Sequence, residues 1–129
     1  MDNKVKLMTS FEKLKISLSA IDGSIKAYPD FHRGHGENYI TYEIITERDA
    51  MFADDEPNAQ IDTVRVHYFT KSNPNEIKKA IRRALRTNGF SISYTEQLRE
   101  SNDTGYYHVI IQATALGKTD YDNTESEEF

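Results

Sequence analysis

The sequence predicts an α+β domain: a mostly antiparallel sheet with two helices on one face, in the order α-β-β-β-α-β-β. Three observations carry this expectation. Val64, Val66 and Tyr68 alternate with Arg65 and His67, the period of a half-buried strand. Ile77, Ile81 and Leu85, with Ala80 and Ala84, recur at helical spacing between Asn73-Pro74 and Asn88-Gly89. Phe90, Ile92 and Tyr94, then Tyr107, Val109, Ile111 and Ala113, form two more alternating runs on either side of a Gly-containing loop, the pattern of an antiparallel hairpin.

The other elements follow in chain order. Leu7, Phe11, Leu14, Leu18 and Ile21 make one apolar stripe on a first helix, which Thr9 and Glu12 can open as a capping box and Asp22-Gly23 closes. Residues 24–28 read as a short strand before Pro29, and 30–38, with glycines and histidines interspersed, as a loop. Ile40, Tyr42 and Ile44 alternate with Thr41 and Glu43, giving a strand over 39–47. Residues 48–61 show no period and contain Asp54-Asp55-Glu56-Pro57, which predicts a connection longer than the usual hairpin loop of about 2–5 residues. In the second helix Asn73 can cap, Pro74 suits the first helical position and Glu76 meets the dipole. Gly89 supplies a left-handed stop that folds Phe90 back toward Leu85, a Schellman ending. Tyr42, Tyr68, Tyr94 and Tyr107 share strand positions with aliphatics, where core packing is expected.

At 129 residues the chain fits one domain, assigned to 1–117, with no internal linker. Residues 118–129 are acidic and almost without aliphatics, so they are expected to form a disordered tail. A hydrophobic fraction of 37% and a mean hydropathy of −0.71 predict a modest core. Cysteine is absent, which excludes disulfides and thiolate metal sites. The first residues alternate charge with single apolar side chains and lack the apolar run of a signal peptide or membrane span, so a cytosolic protein with no membrane partner is expected. A net charge of −5 argues against a general nucleic-acid binder, although a local basic surface remains open.

Candidate chemistry is sparse. His32 and His35 flank Arg33-Gly34 in a loop, where i, i+3 spacing does not converge as it would on a helix, so they read as ordinary loop histidines. Asp54, Asp55 and Glu56 could serve as acid/base groups or bind a cation, but consecutive carboxylates in a loop seldom meet at one point. A polar contact surface fits them better. Lys78, Lys79, Arg82, Arg83 and Arg86 gather on the helix face opposite Ile77, Ile81 and Leu85. That face can meet phosphates, meet the acidic loop or tail of a neighbouring copy, or simply be solvated. No phosphate loop, dinucleotide fingerprint or nucleophile elbow is present, and no catalytic, cofactor or metal residue is assigned. An enzyme is not expected.

Taken together, Tyr39-Ile40-Thr41-Tyr42, Ala53-Asp54-Asp55, residues 64–71, Asn73-Pro74, Asn88-Gly89-Phe90 and residues 103–108 resemble the small tail-completion proteins of long-tailed bacteriophages and prophages. The resemblance covers residues 11–115. It implies a non-enzymatic structural subunit of the virion, like a tail terminator or a tail-to-head joining protein, that forms a homo-oligomeric ring, a hexamer, at the head-proximal end of the tail tube. The implied partners are the tail tube protein and the head-completion or connector protein, with DNA only as cargo through the lumen. The implied locations are the head–tail interface of the virion and, during assembly, the host cytoplasm. Asp54, Asp55, Glu56 and the five cations of the second helix are then candidates for subunit or tail interfaces. The sequence leaves terminator and joining roles both open, and a small nucleic-acid-binding module using the basic helix 74–88 is the competing reading.

Overall fold

The computed structural model describes residues 9–19, 21, 23, 25–29, 36–50, 59–99 and 105–117. Two helices, α1 (Ser10–Ser19) and α2 (Asn75–Thr87), pack on a sheet of five strands: β1 (Lys26–Tyr28), β2 (Asn38–Ala50), β3 (Ala59–Thr70), β4 (Ser91–Arg99) and β5 (Tyr107–Gly117). The spatial order is β1-β2-β3-β5-β4. All pairings are antiparallel except that of β1 with β2. This is the α+β architecture and element order that the hydrophobic periods predict. β5 lies between β3 and β4, so α2 carries the chain across it from one to the other.

Both helices cover one face of the sheet. Leu14 and Leu18 of α1 and Ile81 and Leu85 of α2 are buried against Ile40, Tyr42, Val64, Val66, Tyr68, Val109, Ile111 and Ala113. Residues opposite one another in register share a face, so the alternation seen in each strand feeds a single core. Each fully buried Leu or Ile contributes about 1.5–3 kcal/mol relative to its exposed state.

The helix ends form as their residues dictate. Thr9 N–H donates to Glu12 Oε1 at 3.0 Å and Glu12 N–H to Thr9 Oγ1 at 3.1 Å, a complete capping box. At the start of α2 the Asn73 Oδ1 accepts from Asn75 N–H at 2.9 Å, but the helix begins at Asn75, so Pro74 rather than Asn73 is the N-cap and no side-chain bond caps it. At its end Phe90 N–H donates to Leu85 O at 2.9 Å and Gly89 N–H to Arg86 O at 3.1 Å, with Gly89 at φ 94°. These two bonds are the Schellman pair, and Phe90 is buried beside Leu85.

Three details depart from the sequence reading. The loop expected over 48–61 is shorter, because β2 and β3 stay paired through Arg48↔Ile61, Asp49↔Gln60 and Ala50↔Ala59. An extra residue, Ile45, sits between Ile44↔Val64 and Thr46↔Thr63, so the alternation slips by one and the strand continues without its apparent period. A second extra residue, Ser93, does the same in β4: Ile92 faces the helices, whereas Tyr94 pairs with Gln112 on the other face and is 42% exposed. Tyr94 is therefore not a core residue, and Tyr107 is only half-buried. Leu7, the loop histidines and the acidic segment 118–129 lie outside the described residues.

In urea unfolding, Leu85→Ala is expected to cost about 2–5 kcal/mol, Gly89→Ala about 1 kcal/mol because an L side chain is strained at its positive φ, and Leu98→Ala on the exposed edge less than about 0.5 kcal/mol. Burial raises the pKa of Tyr42 above its ordinary 10.0, so the folded form holds that proton more tightly than the unfolded chain. Its contribution is intact below about pH 10 and is lost as pH climbs through the raised value. Tyr42→Phe should accordingly flatten the alkaline limb of a stability–pH curve.

Candidate functional site

The five cations of α2 divide into two groups. Lys78 and Arg82 lean over β4: Lys78 Nζ donates to Gln97 Oε1 at 2.9 Å, and Arg82 Nη1 donates to Thr95 Oγ1. Thr95 and Gln97 lie level with Ile111 and Val109, on the helix side of the sheet, so the i, i+4 spacing of the two cations matches the two-residue repeat of the strand. Lys79, Arg83 and Arg86 are exposed and form no ion pair with any described residue. With Arg82 and Thr87 they line a shallow hollow on the outer side of the helix. Four cations around one hollow concentrate positive charge on this side of the helix. The other half of the expected interface, Asp54, Asp55 and Glu56, lies outside the described residues, as do His32 and His35.

The structure adds acids that the sequence reading passed over. Past the bulge, Glu47 pairs with Asp62 and Asp49 with Gln60, which places both carboxylates on the helix side of β2, and both are exposed. They stand at the opposite end of the sheet from α2 and β4. Lys26, on β1, pairs with Tyr39, eight residues or roughly 26 Å of strand from Glu47. The acidic stretch is thus separate from the lysines of the β1 end.

A polar chain of two buried histidines and a half-buried glutamate occupies the face away from the helices. His67 Nδ1 lies 2.9 Å from His108 Nε2, and His67 Nε2 lies 3.2 Å from Glu43 Oε2. With His67 neutral, donation of Nε2–H to the Glu43 carboxylate leaves Nδ1 to accept from His108 Nε2–H. Phe69 stacks on His108 at 4.2 Å and on Tyr39 at 4.9 Å. Phe69 itself is the sequence signal for this cluster, an aromatic out of phase with Val64, Val66 and Tyr68. Thr41, opposite His67 in register, is fully buried and its Oγ1 makes no hydrogen bond with any described residue. Among the described residues, no group of three or more His, Asp or Glu is placed to hold a metal ion. An apolar groove between α1 and β1, bounded by Phe11, Leu18, Ile25 and Tyr42, completes the surface features.

The split among the cations has a measurable consequence. Arg82→Glu removes the tie to Thr95 and is expected to lower stability by about 1 kcal/mol, whereas Arg83→Glu should change it by less than about 0.5 kcal/mol; urea titration of both variants checks this.

No protein-family model matches the chain, and no curated protein matches it. Among solved structures, the fold is similar to that of a chain described as part of the virion of a native gene transfer agent (GTA) particle, with a TM-score of 0.56 and 11% identity over 86% of this chain and 96% of that one.

Proposed function

We propose that this protein is a structural subunit of a phage-type virion that completes the tail: a ring at the head-proximal end of the tail tube that terminates the tube or joins it to the head connector. The observation that carries the reading is the fold shared with a virion-particle chain over nearly the full length of both. Features of the surface support it. The described residues present a cationic helix, an acidic strand and two open sheet edges, all of which suit contacts with other copies or with tail and connector proteins. The polar chain of Glu43, His67 and His108, with two buried histidines and a partly exposed carboxylate, is read as ordering one sheet face. A hexamer is the expected ring, with DNA passing through its lumen.

A second reading, binding of nucleic acid through α2, rests on the hollow between Lys79 and Arg86. Base stacking gives it little support, because Tyr39, Tyr42 and Tyr68 are buried and the exposed Tyr94 lies on the sheet face away from α2. It predicts affinity for DNA or RNA that falls steeply with salt.

The test is deletion and restoration of the gene in the encoding phage or prophage, followed by electron microscopy of induced lysates. Overlong tubes identify a terminator, and normal-length tails separated from filled heads identify a joining protein. Intact infectious particles sink the proposal, and salt-dependent retention of the chain on DNA would then favour the second reading.

A further inference from the structure

The sheet is open at two places among the described residues, and the two are complementary. The whole outer edge of β4, 9 residues, has no strand beside it. On the other side β1 covers only Tyr39 to Thr41, which leaves residues 42–50 of β2 open. The two open stretches are equal in length. β2, β3, β5 and β4 alternate in direction, so β4 runs opposite to β2. A second copy held in the same orientation would therefore bring its β2 antiparallel to the β4 of the first.

Side chains at the two edges match as well. Tyr94 and Leu98 on β4 are 42% and 40% exposed, and Ile45 on β2 is 36% exposed, so each edge offers apolar surface that the fold itself does not cover. Arg99 is level across the sheet with Asn38, through Tyr107 and Thr70, so β1 obstructs a level approach. The incoming strand must slide by about four residues, about 13 Å, toward Ala50. Counted rung by rung past the extra residue Ile45, Thr95, level with Tyr42 in its own sheet, then lies beside Glu47 of the next copy, both on the helix side. This sets Glu47 and Asp49 of that copy beneath the stretch of α2 from Lys79 to Arg86. Both acids and the helix stand on the same side of the sheet.

We infer that the chain self-associates head to tail, with β4 and the cations of α2 in one copy engaging residues 42–50 of β2, with Glu47 and Asp49, in the next. The inference deepens the tail-completion reading and rests on it, because a heterologous contact of this kind generates a ring when its rotation closes.

The test is charge exchange in the full-length chain. One variant carries Lys79→Glu and Arg86→Glu, the other Glu47→Lys and Asp49→Lys; none of these residues anchors the fold. Sedimentation and electron microscopy should show each variant alone self-associating at least tenfold more weakly than the wild type, with circular dichroism unchanged. An equimolar mixture should reassemble, because in alternating order every contact pairs opposite charges. Amide hydrogen exchange of wild-type rings should gain protection over 42–50 and 91–99. Wild-type rings whose protection lies elsewhere, or a mixture that stays apart, would overturn the edge contact and leave the ring standing. A wild-type chain that forms no ring at any concentration, alone or on tail tubes, would overturn both.

Discussion

The packing of α1 and α2 side by side on one face of the sheet is the constraint on which the rest depends. Leu14, Leu18, Ile81 and Leu85 are buried with Val64, Val66, Val109 and Ile111, and their loss would leave neither helix with a reason to stay formed. Because this burial uses one helix stripe and one sheet face, everything polar on the helices is driven outward. The cations of α2 owe their position to Ile81 and Leu85 as much as to their own charge. The Schellman turn at Gly89 strengthens the coupling, since only a few residues separate α2 from β4 and the cationic helix is rigidly tied to the strand beneath it.

Electrostatics are arranged across the strand order. α2 stands over β4, and its exposed cations meet no described acid; Glu47 and Asp49 stand on β2, three strands away. A protein of net charge −5 therefore presents a basic end and an acidic end, so the total charge describes neither surface. Lys13 is a different kind of cation. Its Nζ donates to Leu116 O at 2.6 Å, and partial desolvation lowers its pKa while Asp62 partly offsets the effect, so it ties α1 to β5 near the surface.

Much of this architecture was legible because local and tertiary preferences agree. The capping box at Thr9 and Glu12, the left-handed turn at Gly89 and the alternation from Val64 to Tyr68 each have one physical solution, and the fold adopts it. What escaped the reading has an equally specific cause. A single extra residue reverses the faces of all residues beyond it, so Ile45 hid residues 48–50 of β2 and Ser93 turned Tyr94 from core to surface. His67 looked like a solvent-facing partner of the core residues because alternation alone assumes that the second face is wet. Of the candidate site, the cations were readable from helical spacing. Their division by Thr95 and Gln97 was not, since those contacts depend on which strand α2 lies over.

The bulges at Ile45 and Ser93 also bear on solubility. A flat sheet with two bare edges is a template for endless stacking, and such a molecule would tend toward fibres as soon as it accumulated. An extra residue near each bare edge adds local twist and bends the strand, so successive copies cannot lie in register as a straight stack. The same two residues that blur the sequence pattern therefore guard the monomer against amyloid-like growth while leaving its edges free for curved contacts.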